Sequence, residues 1–207
     1  GAGGVLTPPE GYWQGVQAIL RKHDILLVAD EVICGFGRTG KMFACETYGI
    51  TPDVLVLSKQ ISSSYMPLSA IVMNDNFYQP IADESHRLGV LGHGFTASGH
   101  PVATAVGLEN LKIIEERNLV DHAAALSPKF LGGLAKLAEH PLAASSRGVG
   151  LIGALEMKPF EGEAPGAAAA ALSAAAQAEG VIARNVAEAL CFCPPLIITE
   201  AEIDDLL

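Results

Sequence analysis

Two continuous apolar segments, each ending in charged residues, place the strongest constraint on the fold of this chain. The first runs from Ile25 to Ala29 and ends at Asp30-Glu31, and the second runs from Val54 to Leu57 and ends at Ser58-Lys59. Segments of this length, rich in Val, Ile and Leu, are typical of central strands in a parallel sheet that is covered on both faces. The pattern therefore predicts an α/β fold, with Asp30 and Lys59 at the carboxyl ends of two strands.

These two charges also indicate a ligand. Open α/β sheets bind their ligands beyond the carboxyl ends of the strands, and burying either charge alone would be costly. A pyridine ring that carries an aldehyde fits the pair, because it needs an anion at its nitrogen and a lysine at its carbonyl. From charge placement alone, a structural ion pair or two solvated strand ends would explain Asp30 and Lys59 equally well.

Composition narrows the class of protein. The chain has 207 residues and a formal charge of −10, from 13 basic and 23 acidic residues, which argues against nucleic acid and anionic membrane surfaces as partners. The four cysteines have neither zinc-ligand spacing nor the density of a disulfide scaffold, so reduced thiols and a cytoplasmic location are expected. The alanine-rich tract of residues 167–176 is too short to span a bilayer.

Periodicity and breakers divide the chain into two predicted domains. Helices are predicted at 12–23, 43–48, from 77, at 101–118, 122–139 and 167–178, and after a capping box at 199–202. Strands are predicted at 25–29, 54–57, 68–73, 150–157, 181–183 and 190–193. Residues 1–120 therefore read as a mostly parallel sheet with flanking helices, and residues 121–207 as a smaller α+β domain.

A glycine-rich segment offers a competing interpretation. Gly35 to Gly40 matches G-x-G-x-x-G after a strand, which would make Asp53 the ribose-binding acid of a dinucleotide site. That fingerprint opens a full helix directly on its strand, whereas here residues 30–34 intervene and Gly49 ends the next helix early. A loop that needs glycine dihedral angles is the simpler explanation.

Other polar residues carry weaker signals. Three histidines, at 86, 93 and 100, have a spacing that suits neither adjacent helical turns nor a zinc finger, so no metal site is predicted. Ser58 or Ser62 beside Lys59 would allow a serine–lysine hydrolase, but no glycine-framed nucleophile elbow accompanies them. Arg184 follows a short apolar segment, where it either binds a substrate carboxylate through two hydrogen bonds or lies on the surface.

One segment, 27–40, contains D-E-V-x-x-G-F-G-R-T-G, and a second, 53–59, ends in Ser-Lys. Together they resemble the class III aminotransferases. These are fold-type I enzymes that depend on pyridoxal phosphate, and the omega-transaminase branch is the most similar. The resemblance extends from Gly3 to Thr199. It implies an enzyme that moves an amino group from an amine or amino acid to a 2-oxo acid or aldehyde.

The resemblance also assigns roles to individual residues. Asp30 matches the residue that pairs with the pyridinium nitrogen, Val32 the side chain against one face of the ring, and Lys59 the lysine that binds the cofactor covalently. Thr96 matches a threonine that binds the cofactor phosphate of the neighbouring subunit, which implies a homodimer. Arg184 matches the mobile arginine that binds alpha-carboxylates.

Several features depart from the family pattern or leave alternatives open. Ala187-Glu188 stands where relatives often have Gly-Asp, which leaves the mobility of the Arg184 loop open, and Gln60 replaces a common glycine. The family's glycine-serine phosphate loop and second ring-stacking aromatic belong to an earlier half, so the chain is expected to be a C-terminal portion. The alternatives to a simple transaminase are a non-catalytic segment, an aminomutase and a decarboxylating transaminase. The last two would use the same Asp30 and Lys59.

Overall fold

The two charged apolar segments form adjacent parallel strands in the computed structural model, which describes residues 1–207. Three strands make one mixed sheet in the order β1–β2–β3, with bounds β1 Val28–Asp30, β2 Val54–Leu57 and β3 Ala70–Met73. β1 and β2 are parallel, and Asp30 lies opposite Val56. β3 is antiparallel to β2, so the predicted parallel pairing holds for the two charged strands and not for the third.

The prediction that this sheet is covered on both faces is wrong within this chain. Val54 and Leu57 are buried, whereas Val28 is 55% exposed and Ile71 is 64% exposed. The first strand also begins later than predicted. The backbone N–H of Ile25 donates to a carbonyl at the end of the preceding helix instead of pairing with a strand.

Four helices accompany this sheet: α1 Tyr12–Lys22, α2 Ala44–Thr47, α3 Asp75–Leu88 and α4 Pro101–Glu116. The side chain of Asn74 accepts from the N–H of Phe77 and so caps α3. Pro101 occupies the first turn of α4, where a missing N–H costs nothing. The predicted helices at 12–23, 43–48 and 101–118 are confirmed to within two residues at each end.

A second, four-stranded antiparallel sheet has the order β4–β5–β7–β6. Its strands are β4 Ala143–Val149, β5 Ile152–Met157, β6 Arg184–Val186 and β7 Ala189–Phe192, and its helices are α5 Leu119–Leu137, α6 Ala167–Ala178 and α7 Glu200–Leu206. α5 packs against β4 and β5, and it continues through Pro128 without a break. The most deeply buried large apolar side chains of this part are Phe130, Leu134, Leu151, Leu190 and Ile203.

The chain divides into two compact units. The N-terminal unit comprises Glu10–Phe36 and Phe43–Arg117, and the C-terminal unit comprises Gly1–Pro9, Gly37–Met42 and Asn118–Leu207. The α/β fold class is confirmed, while the predicted domain limits of 1–120 and 121–207 stay predictions. No helix has both the length and the apolar character required to cross a membrane.

Candidate functional site

Asp30 and Lys59 lie at the same edge of the N-terminal sheet. Asp30 is the last residue of β1, and Lys59 follows the end of β2 after a single serine. Because the two strands are parallel, their carboxyl ends meet at one edge, which is where open α/β sheets bind ligands. This edge therefore carries a carboxylate residue and an amine residue at neighbouring strand ends.

The carboxylate of Asp30 is exposed and held by a local hydrogen bond. Its Oδ1 accepts from the backbone N–H of Val32 at 3.0 Å. Val32 itself is half-buried, directly after the strand tip. This arrangement leaves the other oxygen of Asp30 free of hydrogen bonds within the chain and able to face a ligand.

Glu31, the next residue, is a structural carboxylate that the sequence reasoning missed. It is 3% exposed, and its Oε1 and Oε2 accept from the backbone N–H groups of Cys45 at 2.7 Å and Ala44 at 3.0 Å. Its own N–H donates to the carbonyl of Val56 and so continues the pairing of β1 with β2. Glu31 thereby joins the tip of β1 to the start of α2. The D-E pair marks this residue in the sequence, but its hydrogen-bond partners lie 13 and 14 residues further along the chain, so no local pattern predicts them.

Lys59 begins a 3₁₀ turn, Lys59–Ile61, with a left-handed backbone φ of 46°. Its side chain is exposed and makes no hydrogen bond or ion pair within the chain. The hydroxyls of Ser58 and Ser62 donate to the carbonyls of Leu68 and Met66. Both serines therefore stabilise the turn, and neither is aligned with Lys59 as a nucleophile.

The glycine-rich segment is a closely packed loop that requires glycine backbone angles. Gly37 and Gly40 have φ angles of 102° and 82°, and a side chain at Gly40 would meet the backbone of Ala124 at 3.1 Å. Buried Arg38 donates from Nη1 to the carbonyls of Leu151 at 2.9 Å and Pro194 at 2.5 Å. No helix opens on these glycines, which removes the structural basis for a dinucleotide site.

Thr96 and Arg184 are distant in sequence from the two strand tips. Thr96 is exposed in the loop between α3 and α4, where the neighbouring Phe95 has a φ of 52° and its N–H donates to Nδ1 of His93. Arg184 is an exposed residue of the C-terminal unit and opens β6, opposite Cys191. The structure thus gathers Asp30, Val32 and Lys59 at one sheet edge, and leaves Thr96 on a loop of the same unit.

The β6–β7 hairpin that carries Arg184 is anchored at its turn. Ala187 has a φ of 47°, and Oε1 of Glu188 accepts from the backbone N–H of Gly166 at the start of α6. The other carboxylate oxygen of Glu188 is buried without a hydrogen-bond partner. Glu188 therefore ties the hairpin to the N-terminus of α6.

The fold is a mixed sheet with flanking helices, and two neighbouring strand ends carry Asp30 and Lys59 at one edge. The chain belongs to the class-III aminotransferase family, whose sequence pattern matches residues 1–207. Members of this family depend on pyridoxal phosphate.

Named relatives and solved structures give the same assignment. The chain is 44% identical to the chloroplastic gamma aminobutyrate transaminase 3 of Solanum lycopersicum over 214 residues, and 42% identical to the mitochondrial gamma-aminobutyrate transaminase 1 of Oryza sativa subsp. indica. All of the chain matches 41% of each relative. All of it also matches 50% of a transaminase with L-ala, at 53% identity and a TM-score of 0.97. It matches 47% of the omega transaminase of Pseudomonas jessenii in complex with PMP, at 52% identity and a TM-score of 0.96. The chain therefore spans about half the length of these proteins or less.

Proposed function

We propose that the full-length protein containing this chain is a pyridoxal-phosphate-dependent transaminase. It would move an amino group from an amine or amino acid to a 2-oxo acid or aldehyde. The observation that carries this proposal is the placement of Asp30 and Lys59 at the ends of two adjacent parallel strands in a chain of the class-III family.

The donor set at this edge fits pyridoxal phosphate. A carboxylate suits a pyridinium nitrogen, and a primary amine suits an aldehyde. Asp30 is exposed and hydrogen-bonded through only one oxygen, so its second oxygen is available to the ring nitrogen. When bound, pyridoxal phosphate supplies an electron sink that stabilises negative charge on the amine-bearing carbon of the substrate.

Lys59 would perform the proton transfer. Its Nζ would hold the cofactor covalently. Once released, Nζ would take the proton from the amine-bearing carbon of the donor and pass it to the bound cofactor. In the second half-reaction, Nζ would carry a proton from the cofactor to the corresponding carbon of the acceptor. A side chain that has no hydrogen bond within the chain is free to make this exchange.

The remaining assignments extend the site. Val32 would pack against one face of the ring, and Thr96 would bind the cofactor phosphate of a second subunit in a homodimer. Arg184 would bind the carboxylate of an amino acid or 2-oxo acid, since a guanidinium matches a carboxylate through two parallel hydrogen bonds. We place the enzyme in the cytoplasm on the support of four cysteines that form no disulfide, although named relatives are mitochondrial and chloroplastic.

Borohydride reduction followed by peptide mapping tests the central assignment. In the full-length protein incubated with pyridoxal phosphate, we expect the reduced cofactor on Lys59. We also expect Lys59→Ala to lose both the visible absorption band and transaminase activity. Lys22→Ala changes an exposed lysine at the end of α1 and is the matched control. A label on another lysine, or full turnover by Lys59→Ala, would overturn the proposal.

A substrate comparison tests Arg184. Arg184→Ala should reduce kcat/KM for 2-oxo acid acceptors more than for uncharged aldehydes, because only the former have a carboxylate. Equal losses for both classes would remove the carboxylate-binding role. Release of carbon dioxide from the donor would count against simple transamination.

A further inference from the structure

The turn that presents Lys59 is conformationally unusual. Lys59, Ser63 and Ser64 all have left-handed φ angles, of 46°, 47° and 64°. A residue with a Cβ in this region is strained, and it stays there only when its surroundings hold it. The amine of Lys59 has no hydrogen bond of its own within the chain, so the backbone of this turn decides where the side chain begins.

We propose that Asn110 is a positioning residue for Lys59, holding this turn in the conformation that the chemistry needs. The inference rests on the proposed function. Asn110 lies on α4, 49 and 50 residues along the chain from the two turn residues whose carbonyls it contacts, and it is 8% exposed.

A single side-chain amide spans the turn. Nδ2 of Asn110 donates to the carbonyl of Gln60 at 2.6 Å and to that of Ile61 at 3.3 Å. Its Oδ1 accepts from the hydroxyl of Ser63 at 2.6 Å, and that same hydroxyl accepts from Nε2 of Gln60 at 2.8 Å. These partners fix the orientation of the amide, because a flipped group would turn its oxygen toward two carbonyls.

The helix that carries Asn110 is shaped to approach the turn. A Cβ at Gly107 would lie 2.6 Å from Cδ2 of Leu68 and 3.6 Å from the carbonyl oxygen of Ile61. Only glycine permits this distance without displacing Leu68. Helix α4 therefore packs directly against the turn that presents Lys59.

The chemistry of asparagine explains why this residue type suits the position. A buried polar side chain costs free energy unless its donors and acceptors are paired, and an apolar leucine, which has the same branched outline, would avoid that cost. Here both Nδ2 and Oδ1 are paired with the Lys59 turn. These hydrogen bonds therefore favour one backbone conformation of the turn, directly beside Lys59.

Kinetics of the full-length protein test this role. Asn110→Leu keeps the number and branching of the side-chain heavy atoms and removes every hydrogen bond from this side chain to the turn. Ser63→Ala removes the bond at Oδ1 and the bond that Ser63 accepts from Nε2 of Gln60, and it leaves both bonds from Nδ2 in place. A misplacement of a reacting group by about 1 Å lowers rates by about a hundredfold, so we expect Asn110→Leu to lower kcat by about that factor, with a smaller change in KM. Ser63→Ala should have a weaker effect in the same direction.

The rate at which the visible absorption band forms after apoprotein is mixed with pyridoxal phosphate gives a second readout, and it should fall in the same order. Ile114→Ala opens a cavity beside the same helix and removes none of the hydrogen bonds to the turn, and its folded fraction should keep the wild-type rates. The inference is overturned if Asn110→Leu behaves like Ile114→Ala. If Asn110→Leu does not fold, Ser63→Ala with wild-type rates overturns it. Wild-type protein that forms no band at all would instead refute the proposed function.

Discussion

Replacing Glu31 with glutamine should loosen the junction between β1 and α2 by a predictable amount. The carboxylate is 3% exposed and accepts from two backbone N–H groups, at 2.7 and 3.0 Å. A glutamine keeps one acceptor and turns an NH₂ group toward the other N–H. One charge-assisted bond is then lost, and a hydrogen bond to a charged group contributes about 1.5–3 kcal/mol. We expect local opening to become easier by about 2 kcal/mol, which corresponds to about a thirtyfold loss of amide protection.

Hydrogen–deuterium exchange measured by mass spectrometry on a peptide over residues 43–48 of the full-length protein reports this quantity. Glu46→Gln is the matched control, because Glu46 lies in the same short helix and accepts from the N–H of Phe43 at 3.0 Å, but is exposed. Since water can replace an exposed bond, we expect the control to lose less than about 1 kcal/mol, or less than about fivefold in protection. Equal losses in the two variants would refute the reasoning that burial makes the Glu31 carboxylate the stronger anchor.

Three further outcomes follow from the structure. The N–H of Leu27 donates to Asp53 and holds the pKa of that carboxyl below its usual range. The resulting stabilisation is present above the unfolded pKa and is lost as pH falls through the folded pKa. The excess stability of wild type over Asp53→Asn in denaturant titrations should therefore shrink below about pH 4, and a constant difference would contradict this. Burial raises the pKa of the Cys45 thiol, so iodoacetamide at about pH 8 should modify exposed Cys193 first, as mass spectrometry would detect. Phe130 is fully buried, and Phe130→Ala should cost about 3–5 kcal/mol in the free energy of unfolding.

Local patterns in the sequence predicted several elements closely. The strand at 54–57 and the helix at 167–178 have the predicted bounds, and Thr199 and Glu202 form the predicted capping box of α7. These features depend on neighbours within a few residues, so the information is local. The boundary errors fall where a local signal is interrupted. α5, for example, begins at Leu119 rather than at residue 122.

Strand β4 was missed for a physical reason. Its sequence, Ala-Ala-Ser-Ser-Arg-Gly-Val, has neither an apolar run nor an alternating pattern. It is a strand because its backbone pairs antiparallel with β5. The predicted strand at 181–183 similarly lies at 184–186, where it pairs with β7 opposite Cys191. Such pairings belong to the sheet as a whole, and a window of sequence carries little information about them.

The order of residues along the chain determined the chemistry available at the sheet edge. Two apolar strands ending in Asp30 and Lys59 are visible without coordinates, because a strand and its tip are contiguous in sequence. Tertiary structure alone decided what holds those tips. Glu31 finds its partners at the start of α2, and Asn110 reaches the Lys59 turn from a distant helix. Hydrogen bonds of this kind depend on distances in space between residues far apart in sequence, and no local pattern encodes those distances.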